Sequence, residues 1–231
     1  MNTAIKKLFL ILLVPILFAG CKGSKGDGKT YKDQVVQHEL SDAQGLNPIT
    51  TSDVTAADIK RNIFQTLLEY DYKTLKTIPL LAKALPEEKI IGNGMEVTFE
   101  LRPEAKWDNG QPITVDDIIL SLKLCKAPKI TNDHLKPYVE FITDIRKYED
   151  NPRKFTFVCS EIYMLATHVT GSLTIVPEYI YDPNKVLRKF TLTQLQKPTP
   201  AIENDKDLAA FAEIFNSEPF NREADKIIGS G

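Results

Sequence analysis

The stretch FELRPEAKWDNGQPITVDDIILSLK, residues 99–123, sets a strand, a tight turn and a capped helix end to end with almost no spacer. Val97, Phe99 and Leu101 alternate with Glu96, Thr98, Glu100 and Arg102, the period-two pattern of a strand with one buried face. Asp108-Asn109-Gly110 supplies the short polar and φ-permissive residues of a turn, and Pro112 holds Gln111 extended before the next element. Thr114, followed three residues on by Asp117, makes a capping-box pattern; Val115, Ile118, Ile119 and Leu122 share one face of the helix it opens. The lone tryptophan, Trp107, is expected to plug the strand–helix junction.

Similar local signals extend to both sides. Residues 34–40 read as a first strand, followed by a proline-marked polar loop, Leu46-Asn47-Pro48-Ile49-Thr50-Thr51. Thr55 with Asp58 suggests a second capping box, with Ile59, Ile63, Phe64 and Leu67 as its helical stripe. Around Gly92-Asn93-Gly94 two alternating runs meet in a hairpin. Residues 141–148 and 154–159 form another, across a turn at Asn151-Pro152, with the odd positions Phe155, Phe157 and Cys159 on one apolar face. A helix is expected over 161–169, and a last one over 205–215 with Leu208, Phe211, Ala212 and Phe215 in one stripe. No internal repeat appears.

At 231 residues, 42% hydrophobic and 26% charged, the chain is ordinary globular material. Lys+Arg 29 against Asp+Glu 31 leaves a formal charge of -2, so no basic field points to nucleic acid.

The start of the chain addresses it to the cell envelope. Lys6 and Lys7 precede an unbroken apolar run, residues 8–18, that ends in Ala19-Gly20 before Cys21. The run is shorter than the roughly 20 residues of a membrane span and reads as a secretory signal, residues 1–20. Leu17-Phe18-Ala19-Gly20-Cys21 resembles a bacterial lipobox, which implies lipidation of Cys21 as the mature N-terminus, then a flexible tether over 21–31 and the folded part over 32–231. Residues 23–30, GSKGDGKT, fit the phosphate-loop expression G-x-x-x-x-G-K-T letter for letter, but that loop needs a buried strand before it and a helix after it. Here a modified cysteine precedes and a strand-like run follows, so a tether is the better reading. With Cys21 taken, Cys125 and Cys159 are left either to pair as a disulfide or to stand as two buried thiols, since pairing needs Cα atoms within about 7 Å.

Phe99, Leu101, Arg102, Trp107, Gly110, Pro112, Thr114, Asp117 and Ser121 together resemble the signature of the family 5 extracellular solute-binding proteins, the oligopeptide, dipeptide and nickel receptors of ABC importers. That signature runs F-x-L-R-x-G-x-x-W-x-D-G-x-P-x-T-A-x-D-x-x-x-S. The chain departs from it at Glu104-Ala105, where a glycine is usual, at Asp108-Asn109, and at Val115. Pro79-Leu80-Leu81-Ala82 is similar to the family's P-x-L-A, residues 62–71 to the helix-to-strand segment before it, and 175–181 to I-x-P-K-H-I-Y. Asn47 stands where an L-D-P segment has aspartate. Ile228-Gly229-Ser230-Gly231 is similar to the opening of V-G-T/S-G-P-Y, which implies that the sequence covers the N-terminal portion of a longer receptor.

The resemblance implies an α/β fold with mixed sheets, the N-terminal part of a two-lobed periplasmic-binding-protein-like fold of type II, from the large cluster with an extra subdomain. It implies a monomeric, lipid-anchored receptor facing the periplasm or the exterior, which captures a peptide or similar small solute by hinge closure and passes it to ABC permease subunits. Asn47, Ile49, Thr50 and Thr51 lie where the family lines its cleft and are the candidate ligand-binding residues. A different class remains open: a docking lipoprotein, or the remnant of a truncated receptor gene, that binds no solute. No cofactor or nucleic-acid partner is implied. His38, His134 and His168 are too dispersed for a metal site, neighbours Asp116 and Asp117 point about 100° apart on a helix, and no G-x-S-x-G elbow is present, so no enzyme is expected.

Overall fold

The computed structural model describes residues 36–230, and residues 39–230 form one compact unit. In chain order the elements that frame the site are α1 (Val54–Arg61), β1 (Leu68–Asp71), β2 (Lys76–Pro79), β3 (Glu87–Ile91), β4 (Gly94–Glu100), α2 (Val115–Lys126), α3 (Lys136–Val139), β5 (Ile142–Lys147), β6 (Lys154–Cys159), α4 (Ala166–Gly171), α5 (Glu178–Tyr181), α6 (Leu192–Gln196), α7 (Pro200–Glu203), α8 (Lys206–Phe215) and α9 (Pro219–Arg222). The signal, Cys21 and the tether lie outside the described residues.

The fold is mixed α and β with antiparallel sheets. β1 and β2 make a two-stranded ribbon, and the larger sheet has the order β3-β4-β6-β5. Its register sets Val97 opposite Phe157 and Phe99 opposite Phe155, so the apolar face anticipated for both strands is one surface. Phe99 meets Phe155 stacked at 5.9 Å and Phe157 edge-on at 5.9 Å, geometries worth about 0.5–1.5 kcal/mol each beyond burial. Gly92 turns the β3–β4 hairpin at φ 60, and β3 is exposed along its whole length.

The opening stretch folds as its residues dictate. The Asp117 carboxylate accepts from the Thr114 backbone N–H at 2.8 Å and from its hydroxyl at 2.9 Å, closing the α2 N-terminus. Its other oxygen accepts the Glu178 N–H at 2.8 Å, and Ser121 Oγ accepts the Val176 N–H at 2.9 Å, so the segment entering α5 hangs on α2. Gly110 sits at φ 84 in the turn, and Trp107 is buried beside it.

Four expectations need correction. Residues 36–40 form no strand; Val36 and Leu40 are exposed, and no strand pairs with them among the described residues. The cap of α1 is Asp53, whose carboxylate accepts the Ala56 N–H at 2.8 Å, while Thr55 is a buried helical residue and Asp58 pairs with Arg61. A carboxylate is at least as good a cap as a threonine hydroxyl and also faces the positive end of the helix, so the helix starts earlier than the Thr55 pattern suggests. It also ends earlier, at Arg61; Phe64 and Leu67 are buried from the irregular segment before β1. The helix expected over 161–169 is Ala166–Gly171, because no capping side chain serves 161–165, and Ile162, Met164 and Leu165 are exposed.

Candidate functional site

Four aromatic residues near the chain's end prepare the site. The α8 stripe buries Leu208, Phe211, Ala212 and Phe215 as anticipated. Phe215 stacks on Phe211 at 5.8 Å and on Phe220 of α9 at 5.7 Å, with Tyr181 5.3 Å from Phe220. This cluster holds the Phe215 carbonyl and the Asn221 side chain against the proline-marked loop.

The loop is shaped by Asn47, which is completely buried. Its Oδ1 accepts the backbone N–H groups of Ile49 (3.0 Å) and Thr50 (3.2 Å), an Asx-type turn, and its Nδ2 donates to the Phe215 carbonyl at 3.2 Å. Thr51 Oγ1 donates to Asn221 Oδ1 at 3.2 Å, and the Leu46 N–H donates to the Asn221 carbonyl at 2.9 Å. Gly45 passes so close to Asn221 that an added Cβ would lie 2.5 Å from its Oδ1.

Beside this loop is a cavity of about 390 Å³. Pro48 and Ile49 form one side, Cys125 at the end of α2 and Val139 of α3 another, and the segment through α4 the third, with Tyr163, Leu165, Val169 and Leu173. Tyr138 stands at the edge, largely exposed, and Tyr163 is held edge-on against Phe141 at 5.0 Å. His168 Nδ1 lies 3.0 Å from the Tyr70 hydroxyl. Of the four candidate binding residues, only Ile49 reaches the cavity; Asn47, Thr50 and Thr51 do not line it, and Asn47 and Thr51 shape the loop that presents Pro48 and Ile49. Tyr138, Tyr163 and His168 were missed, because they come from two separated segments whose local patterns carry no motif.

Cys125 and Cys159 are both free and buried. Burial pushes the Cys125 thiol up to about 12 and Cys159 to about 11, so both are neutral and inert at physiological pH. Lys126 reaches Gln196 Oε1 at 2.7 Å from a buried position that lowers its ammonium to about 8. No group of metal-ligating side chains occurs, and no helix is long and apolar enough to cross a membrane, among the described residues.

The chain is 29% identical over 111 residues to the periplasmic oligopeptide-binding protein OppA of Escherichia coli, an overlap of 48% of this chain and 19% of that one. Among solved structures it is similar to the oligopeptide-binding protein of Thermus thermophilus in complex with a pentapeptide, with TM-score 0.59, 22% identity, 79% of this chain and 31% of the other. It is also similar to NikZ of Campylobacter jejuni in complex with Ni(L-His), with TM-score 0.55, 19% identity, 83% of this chain and 30% of the other. The chain thus spans about a fifth of that curated relative and about a third of those solved chains. The two solved structures share its fold. The profile of the bacterial extracellular solute-binding proteins, family 5 middle, matches residues 76–231, well over half the chain, and that family consists of binding proteins rather than enzymes. The chain belongs to family 5 of the bacterial extracellular solute-binding proteins.

Proposed function

We propose that the chain is the N-terminal portion of a receptor that binds a peptide or similar small solute outside the cytoplasm and delivers it to an ABC permease. The observation that carries this reading is the braced loop at 46–51 beside an apolar cavity of about 390 Å³, within the size range of small-molecule sites. Pro48, Ile49, Tyr138, Tyr163 and His168 form the solute-facing surface, and Asn47 and Thr51 hold the loop in place. A second lobe, encoded beyond this sequence, closes on the solute. The protein works as a monomer, with a diacylated Cys21 tethering it to the membrane surface on the periplasmic or extracellular side. The cavity favours this receptor over a docking lipoprotein, which needs no such space.

Two experiments test the reading. Native mass spectrometry of the protein extracted in mild detergent from its own cells is expected to show a co-purifying small solute that denaturation releases; uniform absence of any bound solute, together with no binding from a peptide mixture, would reject it. For the anchor, metabolic palmitate labelling is expected to mark the parent and not Cys21→Ser, and the variant is expected to leave the membrane fraction.

A further inference from the structure

We infer that the cavity beside Ile49 takes a neutral apolar group of the solute, an aromatic or branched aliphatic side chain, and excludes charged groups. This rests on the receptor reading above. No aspartate, glutamate, lysine or arginine lines the cavity. Its interior is Ile49, Cys125, Val139 and Leu173, all buried apolar side chains. Burial keeps the Cys125 thiol protonated, so the floor carries no charge at neutral pH.

Two of the polar atoms at the walls are already engaged: Ser172 Oγ donates to the Val169 carbonyl at 3.3 Å, and His168 Nδ1 is met by the Tyr70 hydroxyl. A carboxylate or ammonium entering here would lose its hydration without gaining a counter-ion, a cost that favours neutral groups strongly. A dry cavity of about 150 Å³ suffices for benzene, so about 390 Å³ admits a substituted ring or a branched chain with room for adjoining backbone. Tyr138 and Tyr163 offer ring faces and edges at the mouth. The neighbouring open cavity, which shares those two tyrosines, is lined by Glu140, Glu161 and Lys197. Charge is therefore present next door and absent here.

The test separates the pocket's chemistry from the receptor reading. The full-length receptor, second lobe included, is titrated by NMR with toluene, benzoate and benzylamine, and by calorimetry with the tripeptides Gly-Phe-Gly, Gly-Asp-Gly and Gly-Lys-Gly. Toluene is expected to shift the methyl resonances of Ile49, Val139 and Leu173, and the two charged analogues to leave them in place. Gly-Phe-Gly is expected to bind at least tenfold more tightly than the charged tripeptides and to lose at least tenfold in Ser172→Trp and in Val169→Phe, which fill the cavity from different positions. Benzoate or benzylamine matching toluene, or charged tripeptides matching Gly-Phe-Gly, would overturn the apolar assignment and leave the receptor reading standing. Toluene entering the cavity while no tripeptide binds would overturn the receptor reading and keep the pocket's apolar character.

Discussion

The side-chain amide of Asn47 donates to the backbone carbonyl of Phe215 at 3.2 Å, joining the loop before the first helix to the last turn of α8 across 168 residues of sequence. The same amide's oxygen accepts from Ile49 and Thr50, so one buried residue sets the loop's shape and its attachment. Asn47→Ala leaves a buried carbonyl and two N–H groups without that partner and is expected to cost about 2–3 kcal/mol in urea unfolding. Asn47→Asp keeps the acceptor but points a carboxylate oxygen at the Phe215 carbonyl. It is expected to destabilise the protein at neutral pH and to recover in part on acidification, when a protonated carboxyl can donate. A neutral result for both would mean that the loop is held by Thr51 and Leu46 alone.

Asp117 serves two elements at once, accepting from Thr114 and from Glu178. Asp117→Ala is expected to cost about 3 kcal/mol, against about 1 kcal/mol for Thr114→Ala, which disturbs only the cap. Equal losses in chemical denaturation would show that the tie to residue 178 contributes little.

Gly92 and Gly94 flank the same turn for different reasons. An added Cβ at Gly94 would lie 2.3 Å from the Cys159 carbonyl, while at Gly92 it would meet nothing within 4 Å and face only the φ of +60. Gly94→Ala is expected to destabilise by about 1–3 kcal/mol and to perturb the β4–β6 pairing. Gly92→Ala is expected to cost about 1–2 kcal/mol, with Gly92→Asn close to neutral because asparagine tolerates the left-handed region. The contrast is read from thermal melts of the three variants; an asparagine at 92 as damaging as an alanine at 94 would refute it.

Lys126 gives stability a pH dependence. Its folded value, lowered by burial to about 8, lies below the ordinary lysine value of 10.5, so above pH 8 the unfolded chain binds more protons and stability rises with pH. Below pH 8 the lysine is charged in both states and its full penalty is present. Burial also lowers Lys60 and Lys123, adding to the same slope. The two thiols act oppositely as pH rises toward and past their unfolded value of 9, because burial raises them in the folded state. Between pH 8 and 9 the thiols are the same in the parent and in a variant at position 126, so the difference between the two isolates Lys126. Lys126→Met is expected to flatten the rise in urea midpoint across that interval, and an unchanged slope would remove Lys126 as its source.

What the sequence made legible was local. The β4 alternation, the Thr114–Asp117 cap, the Gly92–Gly94 hairpin and the α8 stripe each depend on residues within a turn or two of one another. Choosing Asp53 over Thr55 as a cap was beyond pattern reading, because both fit the spacing and only the helix's docked position decides between them. The cavity was less legible still. Ile49 was found through the loop's resemblance to the family, but Tyr138 and Tyr163 meet it only after α3 and the segment before α4 have packed, and an exposed Leu165 in an expected helix reads as an ordinary surface residue.

Hydrogen exchange with and without a mixed peptide pool tests the central claim most directly. Slowed exchange confined to residues 46–51, 135–139 and 163–174, with the 87–100 hairpin unchanged, is the expected result and would place the solute at the braced loop. Unchanged exchange in all three segments, or protection confined to the exposed β3 edge, would contradict it.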